Sequence, residues 1–117
     1  MHDSIGVDII ELKKAERFYK THREKLGEFL SLKEKKFVER GKTPHEALAM
    51  VLSAKEAVFK ALDRPWMGPE GFRKIKVQPV HSKMFSFRFS KKTQMEIYFT
   101  KNSKRVVAFC VPAHLAH

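Results

Sequence analysis

Hydrophobic and polar residues alternate at the start of the chain and again in its second half. Ile5, Val7 and Ile9 are separated by Gly6 and Asp8, and this period of two predicts a first β-strand. Later segments are rich in β-branched and aromatic residues and predict further strands, near residues 75–80, 85–89, 95–99 and 106–111. Because turn-forming residues separate these segments, the strands are expected to pair in an antiparallel sheet.

The first half of the chain instead predicts helices. Residues 11–25 are rich in charged helix formers and have apolar side chains on one side only, which predicts an exposed helix with a basic face. A second, short helix is predicted over residues 32–40. Its start matches a capping box, in which Ser31 accepts from the amide of Glu34 and the Glu34 side chain reaches back.

A longer third helix and a loop separate these helices from the predicted sheet. Thr43 and Pro44 fit the N-cap and first position of that helix, which is predicted to run to about residue 62. Residues 63–72 contain two prolines and two glycines and predict a loop. The expected fold is one α+β domain over residues 1–117, with helices of the N-terminal half packed on an antiparallel sheet from the C-terminal half.

Charged residues interrupt two otherwise apolar segments. The third helix is apolar on nearly every side over residues 47–62, as in buried helices, yet it carries Lys55, Glu56 and Lys60. Such charges are costly unless they are paired, bind a metal or line a cleft; the alternative is a solvated stripe with a Glu56–Lys60 pair. Asp8 interrupts the first strand, where it could face solvent, cap the next helix, or hold a hard cation together with Glu56.

Composition limits the functional classes without selecting one. The 117 residues have 43% hydrophobic content, too much for a disordered chain, and a net charge of +11 that concentrates anions at the surface. Nucleic acid, anionic lipid, a phosphorylated cofactor and an acidic protein all remain possible partners on this basis. The single cysteine, Cys110, predicts a buried thiol. We see no signal peptide or membrane span and expect a soluble, cytoplasmic protein without a membrane partner.

Two segments resemble motifs of the holo-acyl-carrier-protein synthases, the small members of the 4′-phosphopantetheinyl transferase superfamily. Residues 5–12 read IGVDIIEL and residues 53–62 read SAKEAVFKAL, in the order and at the interval that the family shows. The similarity extends to residues 30–37 and 75–77 and so spans most of the chain. The resemblance implies the α+β fold of that family. It also implies transfer of 4′-phosphopantetheine from coenzyme A to a serine of apo acyl carrier protein, with release of 3′,5′-ADP, in support of fatty acid biosynthesis.

The resemblance also implies catalytic roles for particular side chains. Asp8 and Glu56 would bind Mg²⁺ together with the coenzyme A pyrophosphate, and Lys60 would lie by the phosphates and stabilise their charge. Glu56, directly or through a water held by the metal, is the hypothesised base for the carrier serine. Beside Lys60, the remaining expected contacts with coenzyme A are Lys55, Gly68, Gly71, Thr100 and Lys101.

Two further expectations concern partners. The basic first helix would bind the acidic carrier protein through Lys13, Lys14, Arg17 and Lys20, with Lys14 standing where the family has an arginine. Members of the family are typically trimers with active sites between neighbouring subunits, so a homotrimer is expected. The aromatic residues of segment 85–89 are expected to need cover from such a neighbour.

Some positions depart from the family and keep other functions open. Thr100 and Lys101 stand where Ser-His is usual, and Val51 stands where an arginine is common, so a phosphate contact is either missing or supplied from elsewhere, by Lys101 or Arg105. A second hypothesis is therefore a degenerate member that binds coenzyme A or a carrier protein without transfer. A third, least favoured, is a nucleic-acid-binding domain, suggested by the net charge and by aromatic residues in segment 85–89.

Overall fold

The computed structural model describes residues 5–63, 68–91 and 93–115, and it places helices and strands where most of the sequence patterns predict them. The strands are β1 (Gly6–Glu11), β2 (Gln78–His81), β3 (Met84–Arg88), β4 (Gln94–Lys101) and β5 (Arg105–Pro112). The helices are α1 (Leu12–His22), a 3₁₀ helix (Arg23–Glu28), α2 (Leu32–Arg40), α3 (Pro44–Ala61), α4 (Gly68–Lys74) and a 3₁₀ turn (Ala113–Leu115). Within these ranges, no helix has the length and apolar character needed to cross a membrane.

The five strands form one antiparallel sheet in the order β1-β5-β4-β3-β2. The first strand thus pairs with the last, and Asp8 stands opposite Ala108. Helix α3 lies on one face of this sheet against β1 and β5, and α1 and α2 pack against α3. This arrangement confirms the predicted α+β fold and explains why α3 is apolar on nearly all sides.

The start of α2 confirms the predicted capping box. The Ser31 hydroxyl accepts from the Glu34 amide at 3.3 Å, and the Ser31 amide donates to the Glu34 carboxylate at 2.7 Å. Pro44 lies in the first turn of α3 as predicted, while the Thr43 side chain makes no capping hydrogen bond there. The helix boundaries therefore follow from local hydrogen bonding at α2 and from the fixed backbone of proline at α3.

Two predictions for the middle of the chain were wrong. Residues 68–72 were expected in a loop, but they begin α4, because a proline fits a first helical turn and Phe72 is buried by stacking on Phe59 at 5.9 Å. The next strand was expected from residue 75, but β2 begins at Gln78. The amide of Val77 donates to the buried Glu34 carboxylate at 2.7 Å and not to a neighbouring strand.

The side chains that each face of the sheet buries or exposes differ in part from the expectation for the aromatic residues of segment 85–89. Phe85 and Phe87 are buried within their own chain, and Phe85 packs edge-on against Phe37 at 5.1 Å, so these two aromatics need no neighbour, whereas Phe89 is 49% exposed as expected. The opposite face carries exposed apolar side chains, which include Ile5, Val7, Ile9 and Tyr98. Cys110 is buried as predicted, and burial raises the pKa of its thiol to about 12.

Candidate active site

Strand β1 lies directly on α3 at Gly6. A Cβ atom at this position would lie 1.9 Å from the Ala57 carbonyl oxygen and 2.7 Å from the Ala61 nitrogen. Only glycine therefore permits this approach of the two backbones. Because side chains two residues apart share one face of a strand, the approach also turns Asp8 toward the helix.

Three charged groups meet where β1 crosses the C-terminal half of α3. The Lys60 ammonium donates to the Asp8 carboxylate at 3.0 Å, and the Asp8 side chain is 16% exposed while that of Lys60 is 54% exposed. Glu56 lies one helical turn before Lys60. Burial raises the pKa of Glu56, and the Asp8 carboxylate raises it further, while Lys60 acts in the opposite direction. The alternatives in which Asp8 only faces solvent or caps α1 do not fit this geometry.

The two carboxylates suit a hard divalent ion that keeps free coordination positions. Within the described residues, no group of three or more histidine, cysteine, aspartate or glutamate side chains could hold a metal ion by itself. Magnesium is commonly bound by one or two carboxylates together with substrate phosphates and water, whereas a structural zinc site needs four protein ligands. Asp8 and Glu56 therefore fit Mg²⁺ bound jointly with a phosphate-bearing substrate.

Lys55 does not line this site, contrary to the prediction that it contacts the cofactor. Its side chain is completely buried and its ammonium donates to the equally buried Glu34 carboxylate at 2.8 Å. The ammonium also lies 4.9 Å from the centre of the Phe72 ring. Burial lowers the pKa of Lys55, and the Glu34 carboxylate acts against that shift. The requirement that a buried charge be paired is met inside the core.

A second feature is a basic cleft of about 790 Å³ beside the N-terminal turns of α3. Its cationic side chains come from α2, the α2–α3 connection and the end of β4; they are Lys33, Lys36, Arg40, Lys42 and Lys101. Apolar side chains, including Phe37, Met50 and Pro79, line it together with polar ones such as Gln78 and Ser82. This mixture suits an anionic ligand with a flat apolar part. Glu46, also at the cleft, is ten residues before Glu56, which corresponds to about 15 Å along the helix.

The remaining predicted cofactor residues fall in different places. Lys101 lines the cleft and donates to Glu46 at 2.6 Å. Thr100 is exposed, and strand alternation directs it to the opposite face of the sheet, so the structure does not bring it to the cleft of its own chain. Gly68 and Gly71 lie on α4, outside the lining of the cleft.

Val51 stands where the family commonly has an arginine, and the structure shows which cationic side chains lie at the cleft in this chain. Val51 is fully buried in the core and does not line the cleft. The cleft receives cations from α2 instead, and the sequence reasoning missed them. The sequence could have indicated these cations, because the spacing of Lys33, Lys36 and Arg40 places them on one face of the helix, away from the buried Val38.

The basic surface predicted on α1 is present. Lys13, Lys14, Arg17 and Lys20 are all exposed, while Ala15 on the opposite side of the helix is fully buried against the core. Two of the three aromatic residues that suggested nucleic-acid binding are not similarly accessible. Phe85 and Phe87 are buried and cannot stack on bases, whereas Phe89 is 49% exposed, so the predicted aromatic stacking surface is reduced to one residue.

Comparison with known proteins gives consistent results. A family model described as the 4′-phosphopantetheinyl transferase superfamily matches residues 4–110. The chain is similar to the holo-[acyl-carrier-protein] synthase of Neisseria meningitidis, with a TM-score of 0.76 and 25% identity, over 96% of this chain and 98% of that one. No curated protein sequence matches significantly.

Two similar structures contain ligands. The holo-(acyl-carrier-protein) synthase of Bacillus anthracis, in complex with coenzyme A (3′,5′-ADP), has a TM-score of 0.75 and 24% identity, over 96% of each chain. The Helicobacter pylori enzyme, in complex with coenzyme A, has a TM-score of 0.74 and 21% identity, over 93% of this chain and 99% of that one. At these identities the likeness establishes the fold.

Proposed function

Because this chain belongs to the 4′-phosphopantetheinyl transferase superfamily, we propose that it is a holo-acyl-carrier-protein synthase. It would transfer 4′-phosphopantetheine from coenzyme A to a serine of apo acyl carrier protein and release 3′,5′-ADP, in support of fatty acid biosynthesis. The proposal rests on one observation: the side chains of Asp8, Glu56 and Lys60 lie close enough to interact with one another. Two carboxylates that can hold a metal ion, next to a lysine that can stabilise phosphate charge, suit a metal-assisted phosphoryl transfer.

Each of the three side chains has a distinct role in the proposed reaction. The serine oxygen attacks the phosphorus that carries pantetheine, and the bond from that phosphorus to 3′,5′-ADP breaks, with the electron pair leaving on the nucleotide. Glu56 accepts the serine proton, a role that suits a carboxyl whose pKa is raised. Lys60 stabilises the negative charge on the phosphoryl oxygens. When bound by Asp8 and Glu56, Mg²⁺ would supply further positive charge at these oxygens.

We further propose that the basic cleft binds the phosphorylated nucleotide end of coenzyme A. Five cationic side chains line the cleft, and its apolar wall suits an adenine ring. In this chain, Arg40 and Lys36 of α2 would supply phosphate contacts in place of the arginine that Val51 replaces. We expect Lys36→Ala/Arg40→Ala to raise the KM for coenzyme A about tenfold and to leave the KM for the carrier protein unchanged. If the double variant and the parent protein had equal KM values for coenzyme A, this assignment of the cleft would be wrong.

The outer face of the sheet supports the proposed homotrimer. Ile5 is 60% exposed and Ile9 is 59% exposed, and Val7 and Tyr98 extend the same apolar surface across β1 and β4. A surface of this kind is typical of subunit contacts. Light scattering of the purified protein is expected to give three times the mass of one chain, and Ile9→Lys is expected to give monomers. A monomeric parent protein would refute the trimer.

The transfer itself can be tested by intact mass spectrometry of the carrier. The protein is incubated with an apo acyl carrier protein, coenzyme A and Mg²⁺, and the carrier is expected to gain one phosphopantetheine. Glu56→Gln and the addition of EDTA are the matched controls, and both are expected to abolish the gain. Glu56→Gln separates transfer by the proposed site from transfer by a contaminating enzyme, and EDTA tests the need for a metal ion.

The same experiment decides between the proposal and the non-catalytic alternative. Thr100 and Lys101 in place of Ser-His, and Val51 in place of arginine, are the departures that favour a degenerate member. Binding of coenzyme A without transfer to any carrier, by a folded protein, would support that alternative. A carrier that gains one phosphopantetheine would exclude it.

A further inference from the structure

One buried carboxylate connects three parts of the molecule beside the candidate active site. Glu34 is fully buried and accepts from the Ser31 amide at 2.7 Å, the Val77 amide at 2.7 Å and the Lys55 ammonium at 2.8 Å. Two of these donors are backbone groups, which hold the carboxylate in one orientation. The carboxylate therefore joins the first turn of α2, the middle of α3 and the segment that enters β2.

Lys55 connects the Glu34 carboxylate to α3, the helix that contains Glu56 and Lys60. Its side chain is fully buried, and its neighbour in the sequence is Glu56. Adjacent residues differ by about 100° around a helix, so the direction of Lys55 also sets the direction of Glu56. On the side of β1, Gly6 allows the strand to touch α3 between Ala57 and Ala61. Helix α3 is thus held at the same turns by a hydrogen-bonded ion pair and by a direct backbone contact.

We propose that Glu34 and Lys55 are positioning residues, whose buried ion pair fixes the rotation of α3 so that Glu56 faces Asp8. This inference rests on the proposed function of the Asp8–Glu56–Lys60 site. Burying two charges is costly, and apolar residues of similar size can often replace such a pair without loss of stability. A role in orienting α3 accounts for an ion pair at a core position that apolar packing alone would fill. Neither residue touches the substrate in this proposal; they act through Glu56.

The test removes both charges together, because a single substitution would leave an unpaired charge in the core. Glu34→Gln/Lys55→Met is compared with Leu48→Ala, which opens a cavity in the same helix two turns before Glu56. The first variant is expected to remain folded and to lower kcat about tenfold or more, with the KM for carrier protein unchanged. Its Mn²⁺ affinity, measured by electron paramagnetic resonance, is expected to fall as well. Leu48→Ala is expected to lower Tm and to leave kcat and Mn²⁺ affinity at parent values.

The outcomes separate the inference from the proposed function. If the parent protein transfers phosphopantetheine and Glu34→Gln/Lys55→Met matches its kcat and its Mn²⁺ affinity, the positioning role is wrong. The same holds if Leu48→Ala lowers kcat and Mn²⁺ affinity as much as the charge-removing variant, because loss of stability alone would then explain both. If the parent protein transfers nothing, the proposed function fails first. In that case, Mn²⁺ affinity alone tests the positioning role: the double variant must bind Mn²⁺ more weakly than Leu48→Ala.

Discussion

At the level of single residues, Lys60 is placed where a divalent ion would also be attracted. Its ammonium contacts Asp8 at 3.0 Å while remaining half exposed, so it can move away when a stronger cation arrives. In the absence of metal, this contact offsets part of the repulsion between Asp8 and Glu56. In the proposed complex with phosphates and a metal ion, the same ammonium would be free to contact the phosphates.

This competition predicts opposite effects of Lys60→Met on metal binding and on transfer. Removing the ammonium frees Asp8, so Mn²⁺ is expected to bind without coenzyme A about two- to tenfold more tightly. The transfer rate is expected to fall about 100-fold, since a cation at the phosphoryl group is lost. Electron paramagnetic resonance and the carrier mass assay measure the two quantities. Lys104→Met, in an exposed turn, is the control, and unchanged or weaker Mn²⁺ binding by Lys60→Met would contradict the competition.

The environment of Glu56 predicts a pH-dependent stability. Because burial and Asp8 raise its pKa, the folded protein binds a proton at Glu56 more tightly than the unfolded chain does. Ionised Glu56 therefore lowers stability above that pKa, and the cost disappears as the pH falls through it. Without metal and substrate, Glu56→Gln is expected to raise Tm by roughly 2–4 °C at pH 8 and to change it little at pH 4.

Thermal unfolding at the two pH values checks this expectation. Glu24→Gln, at an exposed carboxylate of the 3₁₀ helix, is the control and is expected to leave Tm nearly unchanged at both values. A lower Tm for Glu56→Gln at pH 8 would show that the ionised carboxylate stabilises the fold, contrary to the proposed repulsion.

At the level of elements, the distance between β1 and α3 determines whether a site exists. Gly6→Ala would place a methyl group 1.9 Å from the Ala57 carbonyl oxygen, so the strand must move away. We expect a loss of about 1–3 kcal/mol in the free energy of unfolding, or more. The transfer rate is expected to fall about 100-fold because Asp8 moves with the strand.

Urea denaturation and kcat under folding conditions measure both effects of Gly6→Ala. Gly27 supplies a matched control, because no atom lies within 4 Å of the Cβ that Gly27→Ala would add. That change is expected to be neutral or to stabilise the protein by about 0.5 kcal/mol. If Gly6→Ala behaved in the same way, the close approach of β1 and α3 would not control the site.

The elements themselves could largely be predicted from local patterns. The capping box at Ser31 and the alternation in β3 and β4 act over a few residues, so the sequence shows them directly. Helix α4 could not be predicted, because its two glycines and its proline indicate a loop, and only burial of Phe72 against Phe59 offsets them. The start of β2 depends on a distant carboxylate, Glu34, which takes the Val77 amide away from the sheet.

At the level of the whole molecule, the net charge of +11 suits two anionic ligands, and we propose that the basic face of α1 binds the carrier protein. Arg17→Glu/Lys20→Glu is expected to raise the KM for acyl carrier protein roughly tenfold at low salt, since attraction to an acidic partner is lost. The KM for coenzyme A is expected to stay the same. Steady-state kinetics at two salt concentrations measure both constants.

The control for this prediction reverses two charges elsewhere on the surface. Lys83→Glu/Lys91→Glu changes the net charge by the same amount at exposed residues outside α1. If both variants raised the KM for the carrier equally, net charge alone would explain the effect. The basic face of α1 would then have no special role.

The sequence by itself determined the α+β architecture, the capping of α2 and the choice of Asp8, Glu56 and Lys60, because periodicity and caps are local and the two motifs are recognisable by their order along the chain. Tertiary structure alone decided which side of each element is covered. An alternating strand has two faces, and only the contact at Gly6 shows that Asp8 faces α3 while Val7 and Ile9 face outward. Lys55 and Glu56 are neighbours in sequence, yet the first enters the core because Glu34 lies on its side of the helix.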